Sequence, residues 1–139
     1  MSRLTQVLPA RIDSLTNLGA FVDEVGALAG FSHHDCLRLT LVLEELFTNT
    51  VEHGFGGDCD ELVEITCQIE SGRVAVTYED AAPRFDPRAI IPRVEEPLIE
   101  EVDRPPGRLG LLLVARMATE LDYARVEGRN RISLAVVAT

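Results

Sequence analysis

A glutamate and an asparagine four residues apart, in the run Leu41-Val-Leu-Glu-Glu-Leu-Phe-Thr-Asn-Thr-Val-Glu-His-Gly-Phe55, offer the clearest chemistry in this sequence. One is an acid–base group; the other is a neutral group with both an oxygen acceptor and N–H donors. At about 100° per residue, a helix through this run gathers Leu39, Val42, Leu43, Leu46, Phe47 and Val51 on one apolar arc. Glu45 and Asn49 then stand one turn apart on the border of that arc. His53 follows one turn later on the same side, and Gly54 ends the run. The helix alone leaves two readings open, a functional edge beside a core and a plain solvated flank.

Other reactive residue types offer less. Cys36, Cys59 and Cys67 are odd in number and widely spaced, which suits neither a disulfide framework nor a zinc pattern. His33 and His34 stand at a helix start with no ligand set at suitable spacing. The net charge of −10 argues against a nucleic-acid partner, because phosphate binding needs a basic face. The arginines nevertheless gather in the second half of the chain (Arg84, Arg88, Arg93, Arg104, Arg108, Arg116, Arg125, Arg129, Arg131), so a local site for a small anion is compatible with the charge.

The elements that must position these residues follow from periodicity. With 139 residues the chain has the size of one domain, and 46% hydrophobic residues without Trp suit an aliphatic core. No apolar run reaches the length of a membrane span, and the first residues lack a secretory signal, so a cytoplasmic location is expected. Leu4 to Leu8 reads as a short edge strand closed by Pro9. Leu15, Leu18, Phe21, Val22, Val25, Leu28 and Ala29 recur at helical spacing, with Asp13 or Ser14 as cap and Gly30 as stop. Ser32-x-x-Asp35 opens the helix of Glu45 and Asn49. Leu62 to Glu70 and Arg73 to Asp80 form a hairpin across Ser71-Gly72. Ala81 to Gly107 is irregular and proline-rich, of a length that is usually functional. A buried helix from Leu109 to Ala118 follows, then a second hairpin of Leu121–Val126 and Arg131–Val137 with Gly128-Arg-Asn130 at its turn. The order predicts an α+β two-layer sandwich, three helices on one face of a mostly antiparallel sheet.

Three motifs in this order resemble the GHKL superfamily of ATPases, with its Bergerat ATP-binding fold, and most of all the anti-sigma-factor serine-protein kinases. The first motif is Glu44-Glu-Leu-Phe-Thr-Asn-Thr-Val-Glu-His-Gly-Phe55. The second is Val76-Thr-Tyr-Glu-Asp-Ala-Ala-Pro-Arg-Phe-Asp-Pro87, and the third is Gly107-Arg-Leu-Gly-Leu-Leu-Leu-Val114. The resemblance runs from about Ser14 to Val137. It implies one histidine-kinase-like ATPase domain over residues 1–139, with an ATP lid at 81–107. It implies Glu45 as general base, Asn49 as Mg²⁺ ligand, and Asp80 as acceptor of the adenine amine. His53, Phe85, Gly107, Arg108, Leu109 and Gly110 would complete the ATP site, the last four offering a helix start to the phosphates.

The chain departs from the family pattern at three glycines, replaced by Ala82, Arg84 and Arg108. Each replacement can crowd a nucleotide, and either arginine can instead contact phosphate. The resemblance implies ATP and Mg²⁺ as cofactors, a sigma factor and an antagonist protein as partners, and a homodimer to which Leu4–Leu8 would lend an edge. The expected function is therefore a partner-switching regulator. It would phosphorylate a serine of the antagonist and sequester the sigma factor. The alternative is a catalytically weakened or inactive binding module of the same fold. A third reading, a detached histidine-kinase catalytic domain, predicts an acid-labile phosphate on a partner histidine.

Overall fold

The computed structural model describes residues 1–90 and 108–139. Strand β1 (Ser2–Pro9) leads through a 3-10 turn (Ile12–Ser14) into helix α1 (Leu15–Ala29). Helix α2 (His33–Asn49) continues directly into a π-helical turn (Thr50–Gly54). After it come strands β2 (Leu62–Glu70) and β3 (Arg73–Asp80), a single-turn helix α3 (Pro87–Ile90), helix α4 (Arg108–Met117), and strands β4 (Thr119–Val126) and β5 (Arg129–Val137). All neighbouring strands are antiparallel, in the order β1-β2-β3-β5-β4. The architecture is the α+β two-layer arrangement expected from the sequence, with α3 as a fourth, one-turn helix that periodicity did not reveal.

Alternation decides which face of the sheet is covered. Val63, Ile65, Cys67 and Ile69 of β2, Val74, Val76 and Tyr78 of β3, and Ile132, Leu134 and Val136 of β5 are buried on one face. Helix α1 lies over β1, β2 and β3, while α2 packs between α1 and α4 and reaches β5. The whole apolar arc of α2 is buried as its spacing required, including Leu39, Val42, Leu43, Leu46, Phe47 and Val51. Truncating a fully buried aromatic such as Phe47 to alanine costs about 3–5 kcal/mol. Leu28, by contrast, falls within the spacing of α1 but is 52% exposed.

The helix ends follow local chemistry. The Ser32 hydroxyl accepts a hydrogen bond from the Asp35 backbone N–H at 3.1 Å, the cap expected for α2. The cap expected for α1 is absent, because the Ser14 hydroxyl donates instead to the Pro9 carbonyl at 2.9 Å and fastens the helix start to β1. The foot of α2 is anchored more firmly. Asp35, 2% exposed, accepts from the Thr139 backbone N–H and hydroxyl at 3.2 and 3.1 Å and pairs with Arg38. Arg38 in turn donates to the carbonyls of Val137 and Met117 at 2.8 and 3.0 Å. These bonds fix α2, the carrier of the first motif, to the ends of β5 and α4.

The second hairpin corrects one expectation. Its turn is Glu127-Gly128, both with positive φ (51° and 77°), as a two-residue hairpin of the primed type requires. Asn130 is therefore not a turn residue. It lies inside β5, directly opposite Asp80 of β3, with its side chain on the covered face.

Candidate functional site

Where α2 ends, the helix widens. The Phe55 N–H bonds to the Thr50 carbonyl five residues back at 2.9 Å, and Gly57 N–H bonds to Val51 O at 2.8 Å. Such π-helical turns recur at functional sites because they re-aim side chains that a regular helix would carry past. Here the widened turn directs Asn49, Thr50, His53 and Gly54 toward the ends of β3 and β5. Between them opens a pocket of about 550 Å³, continuous with solvent, lined also by Leu46, Asp80, Ala82, Pro83, Arg84, Phe85, Asn130 and Ile132.

At the pocket's floor is a carboxylate held on three sides. Asp80 is 4% exposed. Its Oδ2 accepts from the Thr50 hydroxyl at 2.8 Å, and its Oδ1 accepts from Asn130 Nδ2 at 2.8 Å and from the Ala82 backbone N–H at 3.2 Å. The Thr50 hydroxyl also lies 2.6 Å from the Tyr78 phenol, which donates to the Leu46 carbonyl at 3.1 Å. Burial pushes the Tyr78 phenol well above its ordinary value, so it stays a neutral donor. Each carboxylate oxygen can accept two hydrogen bonds, so Oδ2 keeps capacity for one further donor.

Asn130, expected from sequence at the hairpin turn, is instead the side chain that ties this floor together. It is 2% exposed and makes hydrogen bonds with both ends of its amide. Its oxygen accepts from Phe85 N–H at 3.1 Å, the Tyr123 hydroxyl at 2.6 Å and Arg125 at 3.0 Å. Its nitrogen serves Asp80 and the carbonyls of Ala82 and Pro83 at 3.2 and 3.0 Å. The segment leaving β3 is thus pinned to β5 through one side chain, with Arg125 adding a bond to the Ala82 carbonyl at 2.9 Å. A fixed Asp80 followed by a fixed backbone turn is what a specific acceptor needs.

Two of the replaced glycines, at Ala82 and Arg84, have local compensations. A Cβ built on Gly54 would stand 3.0 Å from the Ala82 methyl, so the glycine in the first motif makes room for the alanine in the second. Arg84 lies at the pocket's mouth with its guanidinium 5.4 Å from the centre of the Tyr123 ring, a cation–π distance. In Phe85-Asp86-Pro87 the motif also has a structural use. Asp86 accepts the Arg88 backbone N–H at 2.9 Å and Pro87 begins α3. The Arg88 guanidinium beside it holds the Asp86 carboxyl below its usual range.

Of the residues expected from sequence, Asn49, His53, Asp80 and Phe85 meet around this pocket. Asn49 is 8% exposed and His53 stands exposed on the wall. Glu45 does not line the pocket. It sits one turn earlier on α2, half-buried, with its carboxyl against Gly110 of α4. Burial pushes that carboxyl above its ordinary value, and the nearby Glu44 and Glu52 charges push it further. Arg108 and Leu109 open α4, while Gly107 and the 91–107 part of the expected lid lie outside the described residues. Among the described residues no group of three or more His, Cys, Asp or Glu side chains could hold a metal ion by itself. A Mg²⁺ ion held by one amide oxygen, phosphate oxygens and water needs no such group, and Asn49 has the donor type for that role. The buried Asp80 carboxylate facing the pocket is the group that fits the amine edge of an adenine base.

Comparison with known proteins agrees with this geometry. A family model described as the histidine kinase-like ATPase domain matches residues 8–136. The serine-protein kinase RsbW of Listeria innocua serovar 6a is 26% identical over 84 residues, covering 60% of this chain and 54% of the relative. The chain therefore spans about half the length of that curated relative. The crystal structure of the RsbU and RsbW domains of Rv1364c from Mycobacterium tuberculosis shares the fold, with a TM-score of 0.64 at 19% identity. That match covers 99% of this chain and 32% of the other. With nearly its whole length matched, this chain belongs to the histidine kinase-like ATPase domain family.

Proposed function

We propose that the protein is an ATP-dependent protein serine kinase that acts as a partner-switching regulator. The observation that carries the reading is the buried Asp80 carboxylate, held by Thr50, Asn130 and the Ala82 N–H at the floor of an open pocket beside Asn49. A fixed carboxylate accepts the exocyclic amine of adenine and repels the carbonyl that guanine presents at the same place. Asn49 gives an amide oxygen to Mg²⁺, and His53 and Phe85 flank the base and sugar. When bound, Mg·ATP supplies the phosphoryl group, with the metal neutralising its charge. Arg108, Leu109 and Gly110 offer the start of α4 to the phosphates, with Gly107 before them.

Glu45 accepts the proton of an incoming serine hydroxyl as that oxygen bonds to the γ-phosphorus. The bond to the β–γ bridging oxygen breaks, leaving phosphoserine, ADP and a protonated Glu45. By analogy with the family, the serine belongs to an antagonist protein and the kinase itself sequesters a sigma factor in the cytoplasm. A homodimer is part of the same analogy, and β1, an outer strand paired only with β2 among the described residues, offers its free edge. Transfer of labelled γ-phosphate to a serine of a captured partner, stable to acid, tests the reading. Loss of about a hundredfold or more on Glu45→Ala is expected, and an unchanged rate refutes the base assignment.

A second reading has its own observation. Ala82 and Arg84 occupy motif positions where the family has glycine, and Arg84 stacks over Tyr123 at the mouth. A module of this kind would bind its partner without turnover, with or without nucleotide. It predicts no phosphoryl transfer, whatever residue stands at position 45.

A further inference from the structure

Gly110 stands where no side chain fits unless Glu45 moves. Helices α2 and α4 pack against each other. At their contact, a Cβ built on Gly110 would lie 2.6 Å from the carboxyl carbon of Glu45 and 3.4 Å from its Cγ. Gly19, Gly30, Gly56, Gly57 and Gly128 have open space at the same point, whereas Gly26 would meet the Cys36 sulfur and Gly54 the Ala82 methyl; among these close contacts Gly110 is the one that faces a carboxylate. Gly110 is the third of the described residues of α4. The Glu45 carboxyl against it is half withdrawn from water, and burial, with Glu44 and Glu52 nearby, pushes it above its ordinary value. The atoms in the way are the far end of a flexible side chain. A methyl at position 110 is therefore accommodated by swinging the carboxylate aside, with no shift of backbone required.

We infer that Gly110 is a positioning residue for Glu45. Its missing side chain keeps open the place where the carboxylate rests, so that α4 fixes the proton acceptor carried by α2. On phosphate grounds alone the glycine would serve only the nucleotide. Here the same atom position also sets the base, and binding and proton transfer meet at one residue. The inference rests on Glu45 being the base for its catalytic meaning, while the contact itself does not depend on that reading.

The test uses the full chain with Gly110→Ala, Glu45→Ala, Glu45→Gln and the double variant Glu45→Ala/Gly110→Ala. The Glu45 carboxyl, ¹³C-labelled, is titrated by NMR in wild type and in Gly110→Ala. Mg·ADP affinity is read by calorimetry and ADP formation from Mg·ATP is followed in parallel. The expected result for Gly110→Ala is a Glu45 midpoint that falls toward that of a solvated glutamate. Mg·ADP affinity should change by less than about threefold while ADP formation drops by about tenfold or more, the split expected of a misplaced group. In thermal melts, Gly110→Ala should lower the midpoint in wild type and leave it nearly unchanged in the Glu45→Ala background.

An unmoved Glu45 midpoint in Gly110→Ala overturns the inference. So does an equal melting loss in both backgrounds, or a parallel fall in affinity and turnover that reduces the glycine to a phosphate contact. Should Glu45→Gln leave ADP formation unchanged, the base reading fails. The titration and the melting cycle then still decide the contact.

Discussion

Replacing Asn130 by alanine removes one acceptor from Phe85 N–H, Tyr123 and Arg125 and one donor from Asp80, Ala82 and Pro83. Buried groups left without partners cost about 1–3 kcal/mol each in unfavourable cases, so Asn130→Ala should lose a few kcal/mol in urea denaturation. Asn130→Asp separates polarity from charge. It sets a second carboxyl beside Asp80, and two like charges at hydrogen-bond distance cannot both ionise. One carboxyl then keeps its proton to higher pH in the folded state than in the unfolded chain. The variant should be most stable in acid and lose stability as pH rises through that raised value. Glu45 gives the activity counterpart. Its carboxyl is pushed above its ordinary value, first by burial and then by Glu44 and Glu52. A base must be ionised, so the pH–rate profile should fall on the acid side with a midpoint above that of an ordinary glutamate. Glu52→Gln should move that limb to lower pH, and an unmoved limb would assign it to another group.

Two neighbouring elements, the π-helical turn after α2 and the segment leaving β3, meet at Gly54 and Ala82. Gly54→Ala should crowd the Ala82 methyl, 3.0 Å from the new Cβ, and cost about 1–3 kcal/mol as overpacking does. Adding Ala82→Gly should restore most of that loss, and a thermal-denaturation cycle with additive effects would show the contact to be slack. Much of this level was legible in the sequence. The arc through Leu39 and Val51 has period 3.6, the strand pairs alternate with period 2, and both signals report burial directly. The Ser32 cap was legible because its spacing to Asp35 is local. The π-helical turn was not, since it depends on one residue more per turn, and no residue type marks that. Nor was the place of Asn130. A two-residue turn with a glutamate at positive φ shifts the strand start, and register then carries Asn130 from an expected turn to the covered face opposite Asp80. Motif spacing brought Asn49, His53, Asp80 and Phe85 to one pocket but gave no sign that Glu45 faces Gly110, a contact between helices distant in the chain.

At the scale of the whole molecule, the site depends on how α2 is held. Asp35 and Arg38 bind its foot to Thr139, Val137 and Met117, so the sheet's last strand and α4 fix the helix that carries Glu45 and Asn49. Arg38→Ala strips two backbone carbonyls of their donor and should cost about 1–3 kcal/mol in chemical denaturation. A smaller loss would mean that water replaces the guanidinium. One sheet face and three longer helices thus converge on a pocket that opens between the end of α2 and the ends of β3 and β5. In the proposed function this pocket selects adenine through Asp80. Calorimetric titration with Mg·ATP and Mg·GTP, in wild type and in Asp80→Asn, tests it most directly. Saturable Mg·ATP binding is predicted, at least about tenfold tighter than Mg·GTP and weakened about tenfold or more by Asp80→Asn. Equal affinity for the two nucleotides, or no heat with either, would contradict it.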